Sequence, residues 1–294
     1  AHVGGIDTRR NPAFPEIEVQ ILEGDALRLG IFQSLQRLLH LRHTLIFGIV
    51  THPKYMNVLL SFVLMGSCLF SCHSNVAKYK EGNVTVFIEQ GEAWKHEFPL
   101  FLGISRKNDP QIAIWIEDTC GNYVSTVYVT NRIATQSWIM SGGNRRQEAL
   151  PHWCHSRGVR YEDGLYSPTK NKPLPDAVTG ATPKGSFKVA FSPTNGLEKF
   201  VVKIEVNHST DFNESYPKSA TQGALNYSGG KEGSGQPALV YSVLVDTSLH
   251  QNLYEAKLIG HSSPDGSSGD IYSDLSGITS ALDIVQKITV HVLQ

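Results

Sequence analysis

The chain has none of the signatures that mark most enzymes. No Gly-x-Ser-x-Gly elbow, P-loop, Gly-x-Gly-x-x-Gly dinucleotide fingerprint or His-Glu-x-x-His zinc-protease helix occurs in its 294 residues. A conventional hydrolase or kinase is therefore disfavoured, and a stand-alone enzyme is not the expectation. An excess of either charge is missing too: 26 Lys and Arg face 27 Asp and Glu, for a formal charge of -1. That balance offers no broad basic field of the kind that binds nucleic acid by releasing counterions. Methionine is scarce, with three in the chain, and residues 1–55 contain none. Cysteine is sparse as well: the four fall into two groups, Cys68 with Cys72 in an apolar stretch and Cys120 with Cys154 in the polar body.

What is present begins with the run from Met56 to Cys72, MNVLLSFVLMGSCLFSC. It is too short to span a bilayer comfortably but suits a signal-peptide core. Its ending, Leu69-Phe70-Ser71-Cys72, resembles the lipobox of bacterial lipoproteins, in which the cysteine is lipidated and becomes the mature N-terminus. Gly66-Ser67-Cys68 is the competing match, with Met65 where the family has an aliphatic residue. The resemblance implies a signal peptide over 56–71, lipidation at Cys72, a polar tether over 72–82 and residence on the periplasmic side of the cell envelope. Residues 1–55 then read as upstream frame rather than protein.

Beyond the tether, apolar alternation predicts strands at Val84–Ile88, Ile112–Ile116, Tyr123–Val129, Phe187–Phe191, Phe200–Val206, Ala238–Val245, Tyr254–Ile259 and Ile284–Val292. About eight short strands separated by turn residues suggest an all-β domain over 83–294, an immunoglobulin-like antiparallel β-sandwich. The turn Glu117–Asn122 carries Gly121 and Asn122, which tolerate positive φ, and predicts a hairpin. Short helices are expected at Ile133–Met140, Arg145–Leu150 and Ser276–Val285. Polar residues such as Lys203 and Glu205 are expected to face water. A long irregular, partly helical insert over 131–183 interrupts the strands, and inserts of this length more often serve a function than not.

Within that insert lies Asp176-Ala177-Val178-Thr179-Gly180-Ala181-Thr182. It resembles the acceptor motif of proteins that receive covalent FMN from a bacterial flavin transferase. The resemblance makes Thr182 the residue whose hydroxyl forms the phosphoester. Gly180 and Ala181 would give an unobstructed approach, and Asp176 and Thr179 would fix the segment by hydrogen bonds. Here Pro183 follows, where the flavin subunits of sodium-pumping quinone reductases have other residues. The same seven residues also read as a turn closed by Asx- and ST-type hydrogen bonds.

The order IAIWIED, LPHWCHSRGV, PLPDAVTGATPKG, LIGHSSPDG and DLSGITSALDIV is similar to a family of bacterial periplasmic proteins known only as a domain of unknown function. Its members tend to be encoded near flavin transferases and PepSY membrane proteins. The resemblance implies an accessory in envelope electron transfer, with a flavin transferase and a membrane electron-transfer protein as partners. The alternative is a non-enzymatic sandwich that presents its insert to another molecule.

His152, Cys154 and His155 form a second cluster with metal-ligand chemistry, but no further ligand is placed by spacing. Cys154 pairs with Cys120 in a disulfide or remains free beside it, since an oxidising compartment permits a bridge. Arg145, Arg146, Arg157 and Arg160 flank this cluster as a seat for an anionic group, or as partners of Glu148 and Glu162. The stretch from Asp265 to Asp274 lacks EF-hand spacing and reads as a polar loop.

Overall fold

The computed structural model describes residues 77–79, 81–99, 105–138, 145–175 and 179–293, all within the unit Asn75–Gln294. The signal-peptide segment 56–71, Cys72, residues 1–55 and Asp176 lie outside the described residues. Fourteen strands appear among the described residues: β1 (Ala77–Tyr79), β2 (Val84–Gln90), β3 (His96–Pro99), β4 (Ser105–Asn108), β5 (Gln111–Glu117), β6 (Tyr123–Thr130), β7 (Thr179–Gly180), β8 (Phe187–Phe191), β9 (Lys199–Asn207), β10 (Leu239–Asp246), β11 (Leu253–Glu255), β12 (Lys257–Ser262), β13 (Ile271–Tyr272) and β14 (Val285–Val292).

They form an all-β sandwich with a small helical insert. One sheet has the order β1-β8-β2-β14-β11 and the other β13-β12-β10-β9-β5-β6-β7, while β3 and β4 make a separate two-stranded ribbon. Pairing within the two large sheets is antiparallel except for β1 with β8 and β6 with β7. The alternation explains the stacking. Val84, Val86 and Ile88 of β2, with Phe187, Val189 and Phe191 of β8, face Ile112, Ile114 and Ile116 of β5 and Phe200, Val202 and Ile204 of β9 in one core. Each such side chain taken fully from water contributes on the order of 2 kcal/mol.

The predicted strand Tyr254–Ile259 is two strands. β11 pairs with β14 in one sheet and β12 with β10 in the other, so the chain changes sheets at Ala256, whose N–H donates to Ile288 O at 3.0 Å. The 117–122 turn closes as expected. Asp118 Oδ1 accepts the N–H groups of Cys120 at 2.8 Å and Asn122 at 2.9 Å, and Gly121 takes φ +85°.

Every residue of β5 is buried, not every second one. The insert supplies the reason. Ala113, Trp115 and Val129 point away from the sandwich core and pack against Ile133, Ala134, Leu150, Trp153 and Cys154, a second core between the larger sheet and the insert. Two helices carry it, α1 (Asn131–Thr135) and α2 (Pro151–Ser156). Helix α1 is shorter than expected because Gln136 turns left-handed at φ 51° and its side chain donates to Ile133 O at 2.9 Å. Helix α2 starts just after the segment Arg145–Leu150 that was expected to be helical. Pro151 opens it, a position where a missing N–H costs nothing, and Arg146 and Glu148 are instead engaged side chain to side chain. The expected helix at Ser276–Val285 is a single 3-10 turn, Ser280–Asp283, without a side-chain cap from Thr279.

The insert also overturns the expectation for Lys203 and Glu205. Glu205 is fully buried, and the Lys203 side chain is 15% exposed. Alternation placed both on the outer face of β9 correctly, but that face is roofed by α2.

Candidate functional site

The flavin-acceptor-like segment lies at an edge of the larger sheet. β7 runs parallel to the end of β6, with Val129 opposite Thr179 and Thr130 opposite Gly180. Three further hydrogen bonds hold it. Thr179 Oγ1 donates to Pro175 O at 3.0 Å, Tyr128 OH donates to Ala181 O at 2.7 Å, and Trp94 Nε1 donates to Pro183 O at 3.3 Å. Tyr128 and Trp94 are themselves buried and lie against Phe187, with ring centroids 5.4 and 6.3 Å away. Residues 179–183 are thus held against a rigid aromatic base.

Exposure changes along this segment one residue at a time. Ala181 is exposed, Thr182 is half-buried and Pro183 is buried. The two threonines differ in availability. Thr179 spends its hydroxyl hydrogen on Pro175, whereas that of Thr182 makes no hydrogen bond among the described residues. Gly180 has a packing role that the sequence did not suggest. Its backbone needs no unusual φ, but a Cβ there would stand 2.2 Å from Tyr128 Cε2. Glycine is required so that the Tyr128 ring can pass beneath the strand.

The His152 cluster is built differently from a metal centre. His152 Nδ1 lies 2.6 Å from Gly269 O and Nε2 lies 3.1 Å from Lys203 Nζ. With the ammonium donating to Nε2, the ring is neutral and Nδ1–H donates to Gly269, and burial pushes the His152 pKa down accordingly. His155 Nε2 lies 3.3 Å from Gly266 O, and its ring stacks on Tyr166. Cys154 is buried, and burial drives its thiol pKa far upward. Among the described residues, no three His, Cys, Asp or Glu side chains are placed to hold a metal ion. Cys120 and Cys154 are both free thiols, the first exposed on the hairpin tip and the second packed under the insert.

Sequence reasoning missed the buried polar seam to which His152 belongs. Glu205 Oε1 accepts His152 N–H at 3.2 Å and Oε2 accepts Trp153 N–H at 2.7 Å, so a carboxylate from β9 caps the start of α2. Burial pushes the Glu205 carboxyl up to about 7 against these two bonds and one from Ser262. Beside it Lys203 Nζ stands 3.3 Å from Glu117 Oε2, while Glu117 Oε1 accepts Trp115 Nε1–H at 2.8 Å. The available signal was a carboxylate ending the apolar run IAIWIE and a Lys-x-Glu pair inside an otherwise apolar strand.

The arginines divide among separate partners. Arg146 Nε binds Glu148 at 2.8 Å, its Nη1 and Nη2 donate to Ser209 and Ser234, and its guanidinium lies 4.6 Å from the Trp138 ring centroid. Arg145 pairs with Asp163 at 2.7 Å. Arg157 lies over Trp153, and Arg160 donates to Gly164 O. Arg145 and Arg146 line a cavity of about 310 Å³ with Glu148, Gln222, Tyr227 and Asp265. Asp265 itself is held by Ser263 and Ser267 within its own turn. Among the described residues, no helix is long and apolar enough to cross a membrane. No family model, curated protein or solved structure matches the chain.

Proposed function

We propose that this chain is an exported, lipid-anchored accessory of envelope electron transfer that carries FMN esterified to Thr182. The observation that carries the reading is the contrast between its two threonines. One hydroxyl is committed to the local fold, and the other stands partly exposed and unbonded on a firmly held segment. A transferase needs such an arrangement, because the acceptor oxygen must enter a second active site without unfolding its own domain.

The chemistry is a phosphoryl transfer without redox change. The Thr182 oxygen forms a bond to the flavin-proximal phosphorus of a flavin dinucleotide, the phosphoanhydride bridge breaks, and a nucleoside monophosphate leaves. The hydroxyl proton passes to a base of the transferase. Once attached, the flavin supplies the electron chemistry, and the protein retains and positions it outside the cytoplasm, where a free cofactor would diffuse away.

Co-expression with a flavin transferase, followed by a denaturing gel viewed under flavin excitation, tests the reading. A fluorescent band for the wild-type chain that is missing for Thr182→Ala is expected; equal fluorescence, or none in either, would overturn it. The 310 Å³ cavity beside Arg145 and Arg146 favours a second reading, a sandwich that binds a small polar ligand through its insert. That reading predicts a colourless protein.

A further inference from the structure

We infer that Lys203 and Glu117 are a self-modification site, at which the two side chains condense to an intramolecular amide that ties β9 to β5. The inference is independent of the reading of Thr182.

This pair stands apart from the other ion pairs. Lys203 Nζ lies 3.3 Å from Glu117 Oε2, and the two side chains are 15% and 5% exposed. In the other five lysine–carboxylate pairs among the described residues the lysine is at least 48% exposed. Exposed pairs stay hydrated and hold no fixed geometry. The buried pair is roofed by α2 and held in place by the sheet: Trp115 is opposite Lys203 and Glu117 is opposite Val201, so Lys203 and Glu117 are diagonal neighbours on adjacent strands. Two reactants fixed in contact react at an effective concentration far above any reached in solution, and exclusion of bulk water favours condensation.

Two further groups complete the chemistry. His152 Nε2 lies 3.1 Å from the same Lys203 nitrogen, and its Nδ1–H is committed to Gly269 O at 2.6 Å. The neutral ring thus presents a lone pair to the ammonium. On the other side, Trp115 Nε1–H donates to Glu117 Oε1 at 2.8 Å. That is the oxygen on which negative charge grows when the carboxyl carbon is attacked, and the indole that meets it is fully buried and fixed.

The step balances without a cofactor. His152 Nε2 takes a proton from the Lys203 ammonium and passes it to Glu117 Oε2. The freed amine attacks Glu117 Cδ, the Nζ–Cδ bond forms, and the indole holds the charge on Oε1. The imidazole then carries a second proton from Nζ to Oε2, the Cδ–Oε2 bond breaks, and water leaves. One ammonium and one carboxylate become one amide and one water, with nothing oxidised or reduced. The product suits the site: its carbonyl keeps the Trp115 donor, its N–H faces the His152 lone pair, and two buried charges are removed.

Tryptic mapping of the full chain, first shown to be folded by a cooperative thermal transition, tests the bond. A lysine in amide linkage resists trypsin. The wild-type digest is therefore expected to contain a branched peptide joining residues 108–132 to residues 200–218, lighter than the two together by one water. Lys203→Arg keeps the charge but not the nucleophile and is expected to release 108–132 alone. Pulse labelling during expression is expected to show His152→Gln and Trp115→Phe linking roughly a hundredfold more slowly than wild type; a wild-type rate in either would overturn the role written for that group. The wild-type digest decides the bond even where a variant folds poorly. Peptides 108–132 and 200–203 recovered separately at full mass would overturn the amide, as would a water lost within 108–132 alone, the mark of a cyclised aspartate.

Discussion

Replacing Glu205 with Gln isolates the energetic cost of the carboxylate beneath helix α2. Glu205 has no exposed surface, and burial lifts its pKa from the ordinary 4.5 to about 7. A carboxyl with a raised folded-state pKa holds a proton that the unfolded chain has already released. Its contribution to stability is therefore fully present below about pH 4.5 and is lost as the pH rises through about 7. The gap between the two values corresponds to about 3 kcal/mol. Glu205→Gln cannot titrate, so wild type minus variant removes every other group whose titration the two proteins share. Urea unfolding followed by tryptophan fluorescence suits the measurement, because all four tryptophans lie in the sandwich and its insert. The difference in unfolding free energy should fall by about 3 kcal/mol between pH 4.5 and 7.5. A difference that stays flat, or rises, across that window would refute the reasoning and mean that the two backbone N–H bonds hold the ionised form at no cost.

Gly180→Ala should destabilise the domain by about 1–3 kcal/mol, because the new methyl collides with the packed Tyr128 ring; thermal unfolding checks it, and an unchanged Tm would contradict the close approach. Arg146→Ala should cost about 3–5 kcal/mol by leaving Glu148 buried without its partner, a loss read by urea denaturation; a loss under 1 kcal/mol would show the pair to behave as a surface one. Peptide mapping after maleimide treatment of the native chain should find Cys120 modified and Cys154 protected until the protein is unfolded, since the buried thiol is far from ionising at neutral pH.

Much of the sandwich was legible in the chain because period-two alternation is a local property. The strands around Val84, Ile112, Phe187, Phe200 and Ile288 and the Gly121 hairpin follow from it directly. Alternation also put Lys203 and Glu205 on one face of β9, yet it cannot reveal what lies over that face. The covering layer is α2, fifty residues away in sequence, and only tertiary packing makes Glu205 a cap for it. The split at Ala256 was hidden for a similar reason: one continuous apolar pattern serves two sheets when the chain turns a corner. In the candidate site, the residue types of the 176–182 motif were readable, but the supports of residues 179–183 were not. Tyr128 and Trp94 reach them from elements separated by long stretches of chain. Gly180 was legible as a small residue in the motif, but the Tyr128 ring packed against it was not.

The account turns on a covalent bond at one atom, and peptide mass mapping addresses that bond directly. After expression with a flavin transferase, trypsin should release the 171–184 peptide, because cleavage is blocked at Lys172-Pro173 and occurs after Lys184. Fragmentation of that peptide should place a flavin mononucleotidyl mass on Thr182. The unmodified mass throughout, or the flavin mass on Thr179, would contradict the account.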